Sequence, residues 1–120
     1  MNRKSPYHYN SKVIKYLEDK KMTFENIIDI FSEHLKNDEN IEIVKVKKGY
    51  LHLYWDEVTN DYNHTLITSF DELYESLLSD VESYYKYESK MKFSNEEERD
   101  KFIKNLQDIY YNKYKNLINN

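Results

Sequence analysis

Apolar positions along this chain fall into helical stripes towards both ends and strand-like runs between them. Behind Thr23, Phe24, Ile27, Ile28, Phe31 and Leu35 recur at three- and four-residue spacing. That spacing predicts an amphipathic helix capped by Thr23 and running to about Lys36. Ahead of it, Val13, Ile14 and Leu17 mark a shorter helix over Ser11 to Lys20, and the first ten residues, with Pro6, read as an arm. Lys36-Asn37-Asp38-Glu39-Asn40 is a polar break. Two β-rich runs follow, Ile41 to Lys47 and Tyr50 to Trp55, with the chain's only glycine, Gly49, at the turn between them. Thr59-Asn60-Asp61 signals a second turn, and a third strand is expected around His64 to Thr68.

Two helices then close the chain, each with a capping box. Ser69-Phe-Asp-Glu72 opens a stripe of Phe70, Leu73, Tyr74, Leu77, Leu78, Val81, Tyr84 and Tyr85. Ser94-Asn-Glu-Glu97 opens a second stripe of Phe102, Ile103, Leu106, Ile109, Tyr110, Tyr114 and Leu117. The fold class is therefore α+β. A three-stranded antiparallel meander is packed by helices in the order (α)-α-β-β-β-α-α, one small domain over residues 1–120. By helical phase Tyr84, Tyr85, Tyr110 and Tyr114 belong to the core, whereas Tyr87 and Tyr111 point outward, where a partner or a second copy could meet them.

Composition adds exclusions. The chain has 120 residues, no Cys, one Gly and thirteen Tyr. Without Cys there is no disulfide framework, thiolate nucleophile or Cys-based zinc site. One glycine cannot build a phosphate-cradling loop or a dinucleotide fingerprint, and no serine sits in a nucleophile elbow. The N-terminus lacks the apolar stretch of a secretory signal, and no run approaches a membrane span. The expectation is a protein that stays in the cytoplasm of a bacterial host. The abundance of Asn, Lys, Ile and Tyr and the lack of Ala suit an AT-rich genome or its mobile elements. Mean hydropathy is low at -0.97, yet the apolar residues are periodic, and tyrosine rings fill a core edge while their hydroxyls stay wet.

Net charge is only -4, but its distribution is uneven. From Gly49 to Tyr85 there is no Lys or Arg and there are eight acids. Asp71, Glu75 and Glu82 project from one side of the first closing helix, while Asp56, Glu57 and Asp61 cluster at the strand turn. The sequence predicts one anionic patch from these six, with Glu75 and Glu82 unrelieved by lysine. Asp71 sits in a first helical turn, where the macrodipole alone favours a carboxylate, and Asp71 and Glu75 form a like-charge pair. An anionic patch attracts a basic partner, in bacteria chiefly a nucleic-acid-processing protein. Nucleic acid itself is not expected on this face, since phosphate contacts need Lys and Arg. Tyr54, Trp55 and Tyr62 are the candidate aromatic rim. Lys45, Lys47 and Lys48 at the first hairpin read as protection of a sheet edge.

The element order, the small size and the acid-rich second half resemble phage-borne anti-CRISPR proteins that inhibit Cas9. The likeness covers roughly Thr23 to Asn116 and is one of topology and charge, with Ser94 to Asp100 its nearest sequence echo. It implies a non-enzymatic inhibitor whose acidic side chains imitate DNA before a Cas nuclease. Such nucleases read their target tag through arginines that grip guanine edges, and carboxylates offer those arginines bidentate acceptors. Double-stranded-RNA-binding domains share the α-β-β-β-α order, but here the helix after the sheet opens Ser-Phe-Asp-Glu instead of with lysines. The alternatives are an immunity protein that neutralises a nuclease toxin and, less favoured, a small metal-dependent enzyme using His52 and His64 beside Asp61 or Glu57. No resident metal, cofactor or catalytic residue is expected.

Overall fold

Thr23 caps the first described helix. The computed structural model describes residues 22–119; the expected arm and the expected helix over Ser11 to Lys20 lie outside the described residues. Helix α1, Phe24–Ile30, begins with a reciprocal box. Thr23 Oγ1 accepts the Asn26 N–H at 3.2 Å, and Asn26 Oδ1 accepts the Thr23 N–H at 3.0 Å, so two orphan donors of the first turn are satisfied.

The single helix expected as far as Lys36 is two. At Phe31 the backbone leaves the helical region (φ -99°, ψ 13°), and α2 runs over Ser32–Asn37. The Phe31 N–H bonds the Ile28 carbonyl three residues back at 3.0 Å, which tightens the turn there. The break coincides with the most deeply held aromatic ring of the core. Phe31 is fully buried and stacks on Tyr110 with centroids 4.5 Å apart.

Strands β1 (Ile41–Val46), β2 (Gly49–Asp56) and β3 (Asp61–Ile67) form an antiparallel meander in that order. The first hairpin turns on Lys47 and Lys48, and Gly49 is already paired with Val46. Its φ of +151°, and an Ile67 carbonyl oxygen only 2.3 Å from where a Cβ would stand, make glycine necessary. So Gly49 answers to the close approach of β3 as well as to the turn. The third strand starts at Asp61, three residues before its expected start. The polar residues Asp61 to Asn63 pair with Tyr54 to Asp56, and an exposed edge strand has no apolar signal there to read. Asn60 takes the left-handed position of the second turn, φ 56°.

Helix α3, Phe70–Ser83, is capped as expected at Ser69, whose Oγ accepts the Glu72 N–H at 3.2 Å. The Glu72 carboxylate folds back onto the Thr68 N–H and the Ser69 hydroxyl. A π-turn, Tyr84–Glu88, extends this helix, closed by the Ser89 N–H on the Tyr84 carbonyl at 2.7 Å. Helix α4, Glu96–Asn119, is capped one residue later than expected: Asn95 Oδ1, not Ser94, accepts the Glu98 N–H, at 2.8 Å.

The core joins Ile27 and Phe31, Ile67 of the sheet, Leu73, Tyr74, Leu77 and Val81 of α3, and Tyr110 and Tyr114 of α4. Tyr74 and Tyr114 stack at 4.2 Å. Strand alternation decides what faces this layer. Ile41, Ile43, Tyr50, His52 and Ile67 share its side, and Val44, Val46, Leu51, Leu53, Trp55, Tyr62, His64 and Leu66 share the other.

Candidate partner-binding surface

The six expected acids do not form one patch. Asp56, Glu57 and Asp61 gather at the β2–β3 turn, where Asp56 and Asp61 are register partners. Asp71 and Glu75 lie at the far end of β3, whose six residue steps span about 20 Å. There Asp71 accepts the Tyr114 hydroxyl at 2.5 Å, a contact that ties α3 to α4. Burial, reinforced by Asp71, holds the Tyr114 phenol well above its ordinary range. Glu75 lines a groove between α3 and α4 together with Lys104 and Lys115. Glu82 pairs with Lys86 one helical turn on, at 2.8 Å, and the bond to Glu82 raises the Lys86 ammonium. The expectation of an unrelieved Glu82 is thus overturned by the cation immediately beyond the lysine-free span.

What the fold gathers instead is an acidic end of the sheet. Antiparallel pairing sets Asn40 beside Trp55, whose N–H bonds the Asn40 carbonyl at 2.8 Å, and this brings Asp38 and Glu39 next to Glu57. Helix α3 runs back along the sheet, so the π-turn delivers Glu88 to the same place. Asn40 Nδ2 donates to Glu88 Oε1 at 2.8 Å, and the Tyr54 hydroxyl donates to Oε2 at 3.4 Å. A polar cavity of about 390 Å³ opens among Asp38, Glu39, Glu57 and Glu88, with Lys90 on its wall. Among the described residues, Glu39, Asp56, Glu57, Asp61 and Glu88 make no ion pair. Asp56 Oδ1 accepts the Val58 N–H at 2.9 Å, and Asp61 Oδ1 accepts the Tyr62 N–H at 2.7 Å, so both carboxylates also shape the turn that carries them.

The expected aromatic rim divides between the two faces of the sheet. Trp55 and Tyr62 are cross-strand partners with rings edge to face at 5.0 Å, on the side away from the helices. Tyr54 lies on the helix side, where burial and then Glu88 raise its phenol.

The histidines also separate. His52 pairs with Thr65 and His64 with Leu53, so the two rings are on opposite faces and share no ligand position. Among the described residues, no three His, Asp or Glu side chains are grouped to hold a metal ion. His52 meets Asp80 of α3 instead, Nε2 to Oδ2 2.6 Å. His34 Nε2 lies 3.0 Å from Asp38 Oδ2 without hydrogen-bond alignment, and its ring stands edge-on to Tyr84.

Comparison of the chain with protein-family models, curated proteins and solved structures returns no match. No described helix is long and apolar enough to cross a membrane.

Proposed function

We propose that the protein is a non-enzymatic inhibitor that offers the acidic end of its sheet to the cationic groove of a nucleic-acid-processing enzyme, of which a Cas nuclease is the leading case. The observation behind this reading is the convergence of Glu39, Asp56, Glu57, Asp61 and Glu88 with no ion pair among the described residues. Five carboxylates held within one turn-and-cavity region repel one another, a cost that a partner's arginines and lysines relieve. The binding set therefore shifts from the sequence-based one. Asp56, Glu57 and Asp61 stay and Glu39 and Glu88 join, whereas Asp71, which accepts the Tyr114 hydroxyl, Glu82, which pairs with Lys86, and Glu75, in the α3–α4 groove away from the acidic end, leave.

Inhibition is competitive in this reading. A guanidinium that grips phosphate or guanine forms equivalent bidentate bonds with Asp or Glu, so protein and nucleic acid exclude each other from one groove. The test is DNA cleavage by a guide-loaded Cas9-type nuclease with the protein titrated in at low and high salt. Expected is inhibition that added DNA relieves and salt weakens. The double variant Glu39→Lys, Glu57→Lys alters two exposed side chains and should weaken inhibition by about tenfold or more, equivalent to at least ~1.4 kcal/mol. Absent inhibition, or inhibition indifferent to both the variant and salt, overturns the reading.

A further inference from the structure

Two buried histidine–aspartate pairs sit where α2, β2 and α3 meet. His34 and Asp38 are only 5% and 3% exposed, with Nε2 of the one 3.0 Å from Oδ2 of the other. His52 and Asp80 bridge the sheet to α3. Shared neighbours place the two pairs side by side. His34 stands against Tyr84 with ring centroids 5.3 Å apart, and Tyr84 follows Asp80 by one helical turn. After burial and Glu88, the charge of Asp38 also raises the phenol of Tyr54, which lies two residues from His52 on the same face of β2. Burial raises the Asp80 carboxyl and His52 opposes this; after them the charges of His34 and Asp38 act on it too. We infer that His34, Asp38, His52 and Asp80 form a single proton-binding unit inside the protein, which adjusts the acidic end of the sheet to pH.

With both carboxylates ionised and both imidazoles neutral, two negative charges are held out of water without a cation between them, an unfavourable arrangement. The first proton taken up makes one pair ionic and changes what the other pair experiences, so the protons belong to the four groups together. His34 is the point that gives. Among the described residues its Nε2 has no aligned hydrogen-bond partner despite its depth, and once protonated it is a donor that turns onto Asp38 Oδ2. Asp38 passes the change outward. Its other oxygen accepts the Asn40 N–H at 3.1 Å, Asn40 Nδ2 holds Glu88 Oε1 at 2.8 Å, and Asp38 itself lines the cavity at the acidic end. The other titratable and charged groups around the unit are Tyr54 of β2, Tyr84 and Glu88 of the π-turn, and Glu39, Glu57 and Lys90 about that cavity. The carboxylates among them favour the protonated unit. At lower pH, therefore, Asp38 is drawn onto His34 and the acidic end carries less negative charge. The device is a property of the chain alone, whatever the acidic end binds.

Histidine and asparagine side-chain nitrogens followed by NMR from about pH 5 to about pH 8 test this on the full-length protein. Removing the charge of one pair should be felt by the histidine of the other. Asp80→Asn should lower the titration midpoint of His34, and Asp38→Asn that of His52, each by about half a pH unit or more. His64, on the sheet's other face, should move with neither. The unsubstituted protein supplies a second measurement that no variant can spoil by misfolding: the Asn40 side-chain amide should shift together with His34. Histidines that ignore the substitution in the other pair, changing by less than ~0.2 unit, overturn the inference. So does a His34 that is silent across the range, or an Asn40 amide that stays still while His34 titrates.

Discussion

His52 on the middle strand and Asp80 on α3 meet at 2.6 Å between sheet and helix, with side chains only 14% and 11% exposed. The contact fixes the rotation of α3 over the sheet, because Asp80 is the polar position among Leu73, Leu77 and Val81 on the buried side of that helix. Burial raises the Asp80 carboxyl above its ordinary value, and the bond from His52 only partly opposes this.

A carboxyl with a raised folded-state pKa binds its proton more tightly in the folded protein, so its contribution to stability falls as pH rises from the ordinary carboxylate range through the raised value. The sign is opposite to that of most paired carboxylates. Asp80→Asn is therefore expected to gain stability relative to the unsubstituted protein as pH is raised from 4 towards 7. Urea-unfolding midpoints of both proteins across that range check it; a difference that stays flat or runs the other way refutes the assignment.

Phe31→Ala empties the position where the helix breaks and the ring stacks on Tyr110. The expected loss is about 3–5 kcal/mol, a large fraction of the stability of a domain this size. Chemical denaturation measures it, and a loss below ~1 kcal/mol means the ring is not the centre of the core.

Gly49→Ala places a methyl 2.3 Å from the Ile67 carbonyl in a backbone conformation that side chains rarely adopt. Strain of about 1–3 kcal/mol is expected, in contrast to the small gain of a tolerated Gly→Ala exchange. Amide exchange should show it first where Tyr50 pairs with Ile67.

Tyr74, Tyr85, Tyr110 and Tyr114 have phenols raised above 10.0, with burial the largest cause for each. Here too the folded state holds the proton, so stability is lost as pH climbs from about 10 upward. A spectrophotometric titration should show these phenols ionising together with unfolding. Tyr114→Phe should lower stability by about 1–2 kcal/mol at neutral pH by removing the bond to Asp71, and should soften the alkaline loss.

The sequence revealed the element order because each element carries its own signal: Thr23 and Ser69 at helix starts, Gly49 near a turn, Leu73 to Val81 at helical spacing. It misled wherever a charge's neighbour was decided by chain direction. Glu82 is the exception, because Lys86 stands one helical turn beyond it, just past the lysine-free span, and that spacing is legible in the sequence. Asp71 shares a helix side with Glu75, but α4 supplies Tyr114 to the one and lysines beside the other, and helical phase holds no trace of a neighbouring helix. Glu39 was passed over as part of a polar break. Yet an antiparallel meander necessarily returns the end of β2 to the start of β1, so the register could have found it. Glu88 depended on the π-turn, which leaves no periodic mark. His52 and His64 sit twelve residues apart on adjoining strands, an even separation, and still face opposite ways, because the four turn residues 57–60 and the observed register decide the parity.

Glu88 is bonded to residues 48 and 34 positions earlier in the chain, Asn40 and Tyr54. Four of the five carboxylates are gathered by the meander's own register, and the fifth joins them only when the closing helix has docked on the sheet. Any ligand that needs those carboxylates together would sense only finished, intact molecules.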